Sequence, residues 1–101
     1  MIHAYRLVAP RPTFAQDMTP DEGAVMAEHA TYWHGLVDRG TAILFGPVAD
    51  PAGFWGLAVV ETDAAADAER IRDEDPAVAR GVCRGEMHPM IDPTLRPDVT
   101  R

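Results

Sequence analysis

The chain contains no lysine, no serine and no asparagine among its 101 residues, and only one cysteine. Without lysine there is no Schiff-base amine and no phosphate loop of the Gly-Lys-Ser/Thr type. Without serine there is no hydroxyl nucleophile of the Ser-His-Asp kind. A lone Cys83 cannot form an intramolecular disulfide and fits a cytoplasmic setting. No Gly-x-Gly-x-x-Gly follows an expected strand, which removes the dinucleotide fingerprint. Basic residues are few: nine Arg against sixteen Asp and Glu leave a formal net charge of −7, and the arginines are scattered. Nucleic acid is therefore not an expected partner, because phosphate binding takes clustered cations. No apolar run reaches the length of a membrane span, and the first residues lack the basic-then-apolar pattern of a secretion signal. What remains for chemistry is His, Asp, Glu, Tyr, Cys83, Arg and backbone amides, a set suited to acid–base work without a cofactor or metal.

What is present describes a globular chain. Apolar residues make up 47% and charged residues 25%, and the length suits one domain, with a core over 2–91 and an extended or frayed tail over 92–101. Residues 2–9 read as a strand, stopped by Pro10 and Pro12, with a loop over 11–18. Thr19-Pro20-Asp21-Glu22 opens a helix: Thr19 caps, Pro20 fits the first turn and Glu22 completes a capping box. Arg39-Gly40 should close it. Strands over 41–48 and 54–61 flank the turn-rich Ala49-Asp50-Pro51-Ala52-Gly53 and predict an antiparallel hairpin. A second helix over 64–75, capped by Thr62 or Asp63, would turn Ala64, Ala68 and Ile71 inward; Pro76 ends it and 77–81 adds a turn. A last strand over 82–91 places Pro89 near an edge. The order β-α-β-β-α-β is a split βαβ sandwich. Both middle strands are near-continuous apolar runs, so both sheet faces must be covered, and a second copy of the chain is the simplest cover for the face without helices.

Within the first helix Val25, His29, Tyr32 and Leu36 recur at the period of a buried face, widened by Met26, Trp33 and Val37. His29 is thus a titratable group on an apolar stripe. Asp75, four residues after Ile71, also points inward, which suggests a His–Asp pair whose carboxylate fixes the imidazole tautomer. The competing reading is a structural hydrogen bond between two buried helix ends. Tyr32 and Trp33 are candidate walls for a flat ring, although aromatic residues at helical spacing also serve as core. Gly46-Pro47 fits a strand exit or, through the Gly46 amide, an oxyanion donor. His3 and His88 lie on terminal strands and could be neighbours, a weak metal pattern without a carboxylate. Asp50 reads as a turn residue, Asp73-Glu74 as a solvated run, and Cys83 as a small apolar strand residue.

His29, Gly46-Pro47, Gly53-Phe54-x-Gly56, Asp75-Pro76 and Gly81-Val82, in this order across residues 2–91, resemble the YciI-like (YCII-related) family of small dimeric α+β-barrel proteins. The resemblance implies a ferredoxin-like βαββαβ subunit whose sheet packs on a partner's to form a barrel. It also implies an active site built on His29 and Asp75; Tyr32, Trp33, Gly46 and Pro47, singled out above from their positions, are the residues expected against a small-molecule substrate. At least one relative is a dehydrochlorinase of a chlorinated hydroxyquinol, and muconolactone isomerases share the wider barrel fold. A cofactor-independent lyase or isomerase acting on a cyclic or aromatic metabolite is therefore expected. A cofactor-free monooxygenase and a non-catalytic binding protein are the alternatives. The chain departs from the family at Pro10-Arg11-Pro12 and at Leu57-Ala58, where relatives often carry Ser or Thr.

Overall fold

The computed structural model describes residues 1–97. Its elements are β1 (Ile2–Val8), α1 (Phe14–Asp17), α2 (Pro20–Asp38), β2 (Ala42–Val48), β3 (Trp55–Glu61), α3 (Ala65–Glu74), α4 (Pro76–Ala79) and β4 (Arg84–Pro89). The four strands form one antiparallel sheet in the order β2-β3-β1-β4, and with the helices they make the ferredoxin-like α+β arrangement. The expected loop over 11–18 contains the single turn α1, where Phe14 is buried. Of the expected tail, 92–97 carries no helix or strand and the rest lies outside the described residues.

Local chemistry explains the α2 boundaries. The Thr19 hydroxyl accepts from the Glu22 amide, the Glu22 carboxylate accepts from the Thr19 amide, and Gly40 adopts φ +81° beyond the C-cap Arg39. Arg11 reinforces this start: its guanidinium donates to both Glu22 oxygens and to Asp17, and holds the Glu22 carboxyl down at about 2. The expected α3 cap is not found. Ala64 occupies the N-cap, without a side-chain bond, and is exposed; Thr62 instead donates to the Ala64 carbonyl.

The alternation of β1 buries His3, Tyr5 and Leu7 beneath the helices, and their sheet neighbours Gly56, Ala58, Val60 and Met87 share that face. Against it α2 packs Trp33 and Leu36, both buried. The centre of the helical stripe is Trp33, and Val37, expected on its edge, is 38% exposed. In β2 a bulge between Ala42 and Leu44 shifts the register, so Ala42 and Phe45 both face α2 while Leu44 turns to the opposite face. The opposite face carries Ile2, Ala4, Val8, Leu44, Leu57 and Val59, with Arg6, Glu61, Glu86 and His88 among them. His3 aligns with Pro89, whereas His88 aligns with Ala4, so the two histidines point to opposite faces of the sheet and are not a pair. The His3 Nδ1 is buried and has no hydrogen-bond partner among the described residues.

Candidate active site

Asp75 is the hub of the site. It sits between α3 and α4, closing the first helix as C-cap and opening the second as N-cap, ahead of Pro76 at the first helical position. This junction buries its side chain completely. A buried carboxylate must be matched by donors, and Asp75 has four. Oδ1 accepts from the Ala77 amide at 2.9 Å and from His29 Nδ1 at 2.8 Å. Oδ2 accepts from the Tyr5 hydroxyl and from Trp33 Nε1, each at 2.8 Å, and lies 3.0 Å from His29 Nδ1. Burial pushes the Asp75 carboxyl upward, but the bonds from His29 and Trp33, the His29 charge and the Ala77 amide outweigh it and hold the group below its ordinary range. The same neighbourhood raises the Tyr5 phenol far above its usual value, through burial first and then the Asp75 charge.

Tyr5 was not a sequence candidate. The available signal was its inward parity with His3 and Leu7 on β1, but parity does not reveal a carboxylate 70 residues away. Its ring stacks on Trp33, centroids 5.0 Å apart, so phenol and indole approach Oδ2 side by side. Gly85 on β4 makes room for this: an added Cβ would meet the Tyr5 hydroxyl, Val78 and Arg72 at 2.9 Å.

His29 spends Nδ1 on Asp75, and no described residue bonds Nε2. Its ring lines a cavity of about 330 Å³ between α2, the sheet and the segment after β1. Of the four expected substrate-binding residues, Trp33, Gly46 and Pro47 line this cavity and Tyr32 does not. Its hydroxyl donates to the Ile71 carbonyl at 2.8 Å, satisfying the last turn of α3, and its phenol is pushed up to about 12, mainly by burial. The remaining wall is apolar: Leu7, Phe14, Met26, Phe45, Phe54 and Trp55 among others. Cys83 also lines it, just before β4, and burial pushes its thiol up to about 11. Met18 and Phe54 are 38% and 41% exposed at the rim.

Asp50 is a turn residue, accepting from the Ala52 amide and from Trp55 Nε1. Glu28 pairs with Arg80, and His34 lies edge-on against Phe45 at 5.2 Å. Among the described residues no three of His, Cys, Asp and Glu gather as a metal site, and no helix is long and apolar enough to cross a membrane.

Among solved structures, the chain is similar to the 5-chloro-2-hydroxyhydroquinone dehydrochlorinase TftG from Burkholderia phenoliruptrix AC1100, in complex with 2,5-dihydroxybenzoquinone. The match has a TM-score of 0.65 at 14% identity and covers 90% of this chain and 94% of that one. At that identity the likeness shows the fold. No curated protein matches the chain. The model of the YCII-related domain matches residues 5–90, nearly the whole described chain, and this chain belongs to the YCII-related domain family.

Proposed function

We propose that the chain is a cofactor-independent acid–base enzyme, a lyase or isomerase, in which His29 moves a proton on a small ring bound in the adjoining cavity. The observation that carries this reading is the division of the imidazole. His29 bonds a fully buried carboxylate through Nδ1 and its ring lines an apolar cavity, so the neutral imidazole that donates from Nδ1 would carry its lone pair on Nε2. Nε2 takes a proton from an acidic C–H or O–H. The electron pair left behind then expels a leaving group, giving a lyase, or shifts to another carbon that recovers the proton from the imidazolium, giving an isomerase. Such proton transfer contributes about 10²–10⁴-fold. The similar dehydrochlorinase fold, complexed with a single oxygenated ring, supports a substrate of that size, and a 330 Å³ cavity holds one such ring.

The reading includes a homodimer through the sheet face opposite the helices. Leu44, 44% exposed, lies on that face with Ile2, Ala4, Leu57 and Val59 around Arg6, apolar area of the kind that a second copy covers. Light scattering after size exclusion should give twice the chain mass, and Leu44→Arg should return the single-chain mass; a single-chain mass for wild type would refute the dimer.

The catalytic test isolates the first proton transfer, whatever bond changes come after it. An enolisable butenolide is incubated in D2O, and loss of its α-proton signal is followed by NMR. Wild type should accelerate the exchange and His29→Ala should not. Equal rates with and without protein, across butenolides and hydroxyquinols, would leave His29 and Asp75 as a purely structural tie between α2 and α4.

A further inference from the structure

We infer that the cavity selects uncharged rings and rejects ring carboxylates, because its wall offers no positive charge and the charge behind that wall is negative. The inference rests on the reading above that the cavity beside His29 is the ligand site.

Among the described residues no arginine lines the cavity, and the chain has no lysine to supply. Two guanidinium groups stack on aromatic residues of the wall without lining the cavity themselves. Arg11 is bonded to Asp17 and Glu22 while packing on Phe14, and Arg6 stacks on Trp55 at 4.8 Å without joining the wall. The polar hydrogens of the lining aromatic residues are also committed. Tyr5 and Trp33 donate to Asp75, and Trp55 donates to Asp50. An entering carboxylate would therefore lose its water and find neither a cation nor an unengaged aromatic donor. Behind the wall stands the Asp75 carboxylate, held ionised by its four donors. A protonated His29 is already matched to Asp75, so the pair presents no net positive charge. The formal charge of −7 adds long-range repulsion.

An uncharged ring meets none of these costs. Its anion forms only as its proton arrives on Nε2, so the new negative charge is created beside the imidazolium that balances it. The site thus suits ring hydroxyls, ketones and lactones, and separates them from carboxylated analogues of the same shape.

Hydroquinone and 2,5-dihydroxybenzoate differ by one carboxylate and serve as probes at pH 7.5, titrated calorimetrically into the wild-type protein. Hydroquinone should bind at least tenfold more tightly. Phe54→Arg and Met18→Arg place a guanidinium on the exposed rim without burying it, and should shrink that ratio by tightening the benzoate. Equal affinities in wild type, or a ratio unmoved in both variants, would overturn the inference while leaving proton transfer by His29 intact. Charge discrimination without His29-dependent proton exchange would support the inference and overturn the catalytic reading. Binding of neither ring would overturn the inference, with the butenolide exchange still deciding the catalytic reading.

Discussion

Replacing Asp75 by Asn keeps the shape of the hub and removes its charge, and the bonding pattern dictates the cost. Asn offers one acceptor oxygen and one NH2 group where Asp75 offers two acceptors. If the amide oxygen takes the Oδ2 place, Tyr5 and Trp33 keep their partner, but the NH2 then faces the Ala77 amide hydrogen. If it takes the Oδ1 place, the NH2 faces the Trp33 indole hydrogen. Either way one buried N–H donor has no acceptor, at about 1–3 kcal/mol. The surviving bonds change from charged to neutral acceptors, each weaker by about 1 kcal/mol. Loss of the buried charge also removes its desolvation penalty, which offsets part of this. The net expectation is about 2–4 kcal/mol, a drop in Tm of roughly 10–30 °C for a domain of this size.

This loss carries a pH signature. The Asp75 carboxyl titrates lower in the folded chain than in the unfolded one, because the His29, Trp33 and Ala77 bonds outweigh burial. Its stabilisation is therefore complete above the unfolded value of about 4 and disappears as pH falls through the lower folded value. Urea titrations from pH 7 down to pH 2.5 should show the gap between wild type and Asp75→Asn widest above about pH 4 and closing below it. A gap under about 0.5 kcal/mol at pH 7, or one that acid leaves unchanged, would refute the four-donor account.

Three further outcomes are expected of the same cluster. Tyr5→Phe deletes one charge-assisted bond to Asp75 and should cost about 1.5–3 kcal/mol in denaturant titrations. Gly85→Ala drives a Cβ to 2.9 Å from the Tyr5 hydroxyl and Val78, and should lower stability by about 1–3 kcal/mol in the same titrations. Cys83, with its thiol at about 11, should react with a maleimide at a rate rising close to tenfold per pH unit between pH 7 and 9, and saturating hydroquinone should slow that reaction.

Local signals were legible where one short segment decides the outcome. Thr19, Pro20 and Glu22 sit within four residues, and their capping box forms as expected. Asp75 was legible as an inward group through its spacing from Ile71, and its capping of α4 explains why it is held there. The Ala64 cap of α3 departs from the usual side-chain chemistry, because Thr62 turned to a carbonyl instead. The β2 bulge was not legible, since Ala42-Ile43-Leu44-Phe45 is apolar throughout and gives no period from which to read a register shift. That shift brings Phe45 to the cavity wall, 6.2 Å from Trp33. Tyr32 and Trp33 are adjacent on one helix, and their roles diverge only through the groups that face them: a carbonyl of α3 for one, the Asp75 carboxylate for the other. Such divisions depend on β1, α2 and α4 meeting, which spacing within any one segment does not encode.

Because Asp75 joins three elements, most substitutions around it lower stability whether or not the site is catalytic. The two imidazole nitrogens allow a cleaner separation. The amide nitrogen of an asparagine falls close to the Nδ1 position of a histidine, so His29→Asn retains a donor for Asp75 and removes Nε2. The amide nitrogen of a glutamine reaches the Nε2 position and leaves the carboxylate without its bond. In the structural reading, stability and any ligand response follow the Asp75 bond, so His29→Asn resembles wild type and His29→Gln is impaired. In the catalytic reading, His29→Asn stays within about 1 kcal/mol of wild type in urea yet loses proton exchange by at least the roughly 10²-fold expected of a general base. Denaturant titration and deuterium exchange on the same two variants measure both quantities. Wild-type exchange in His29→Asn would exclude Nε2 as the base, however well the rest of the site fits.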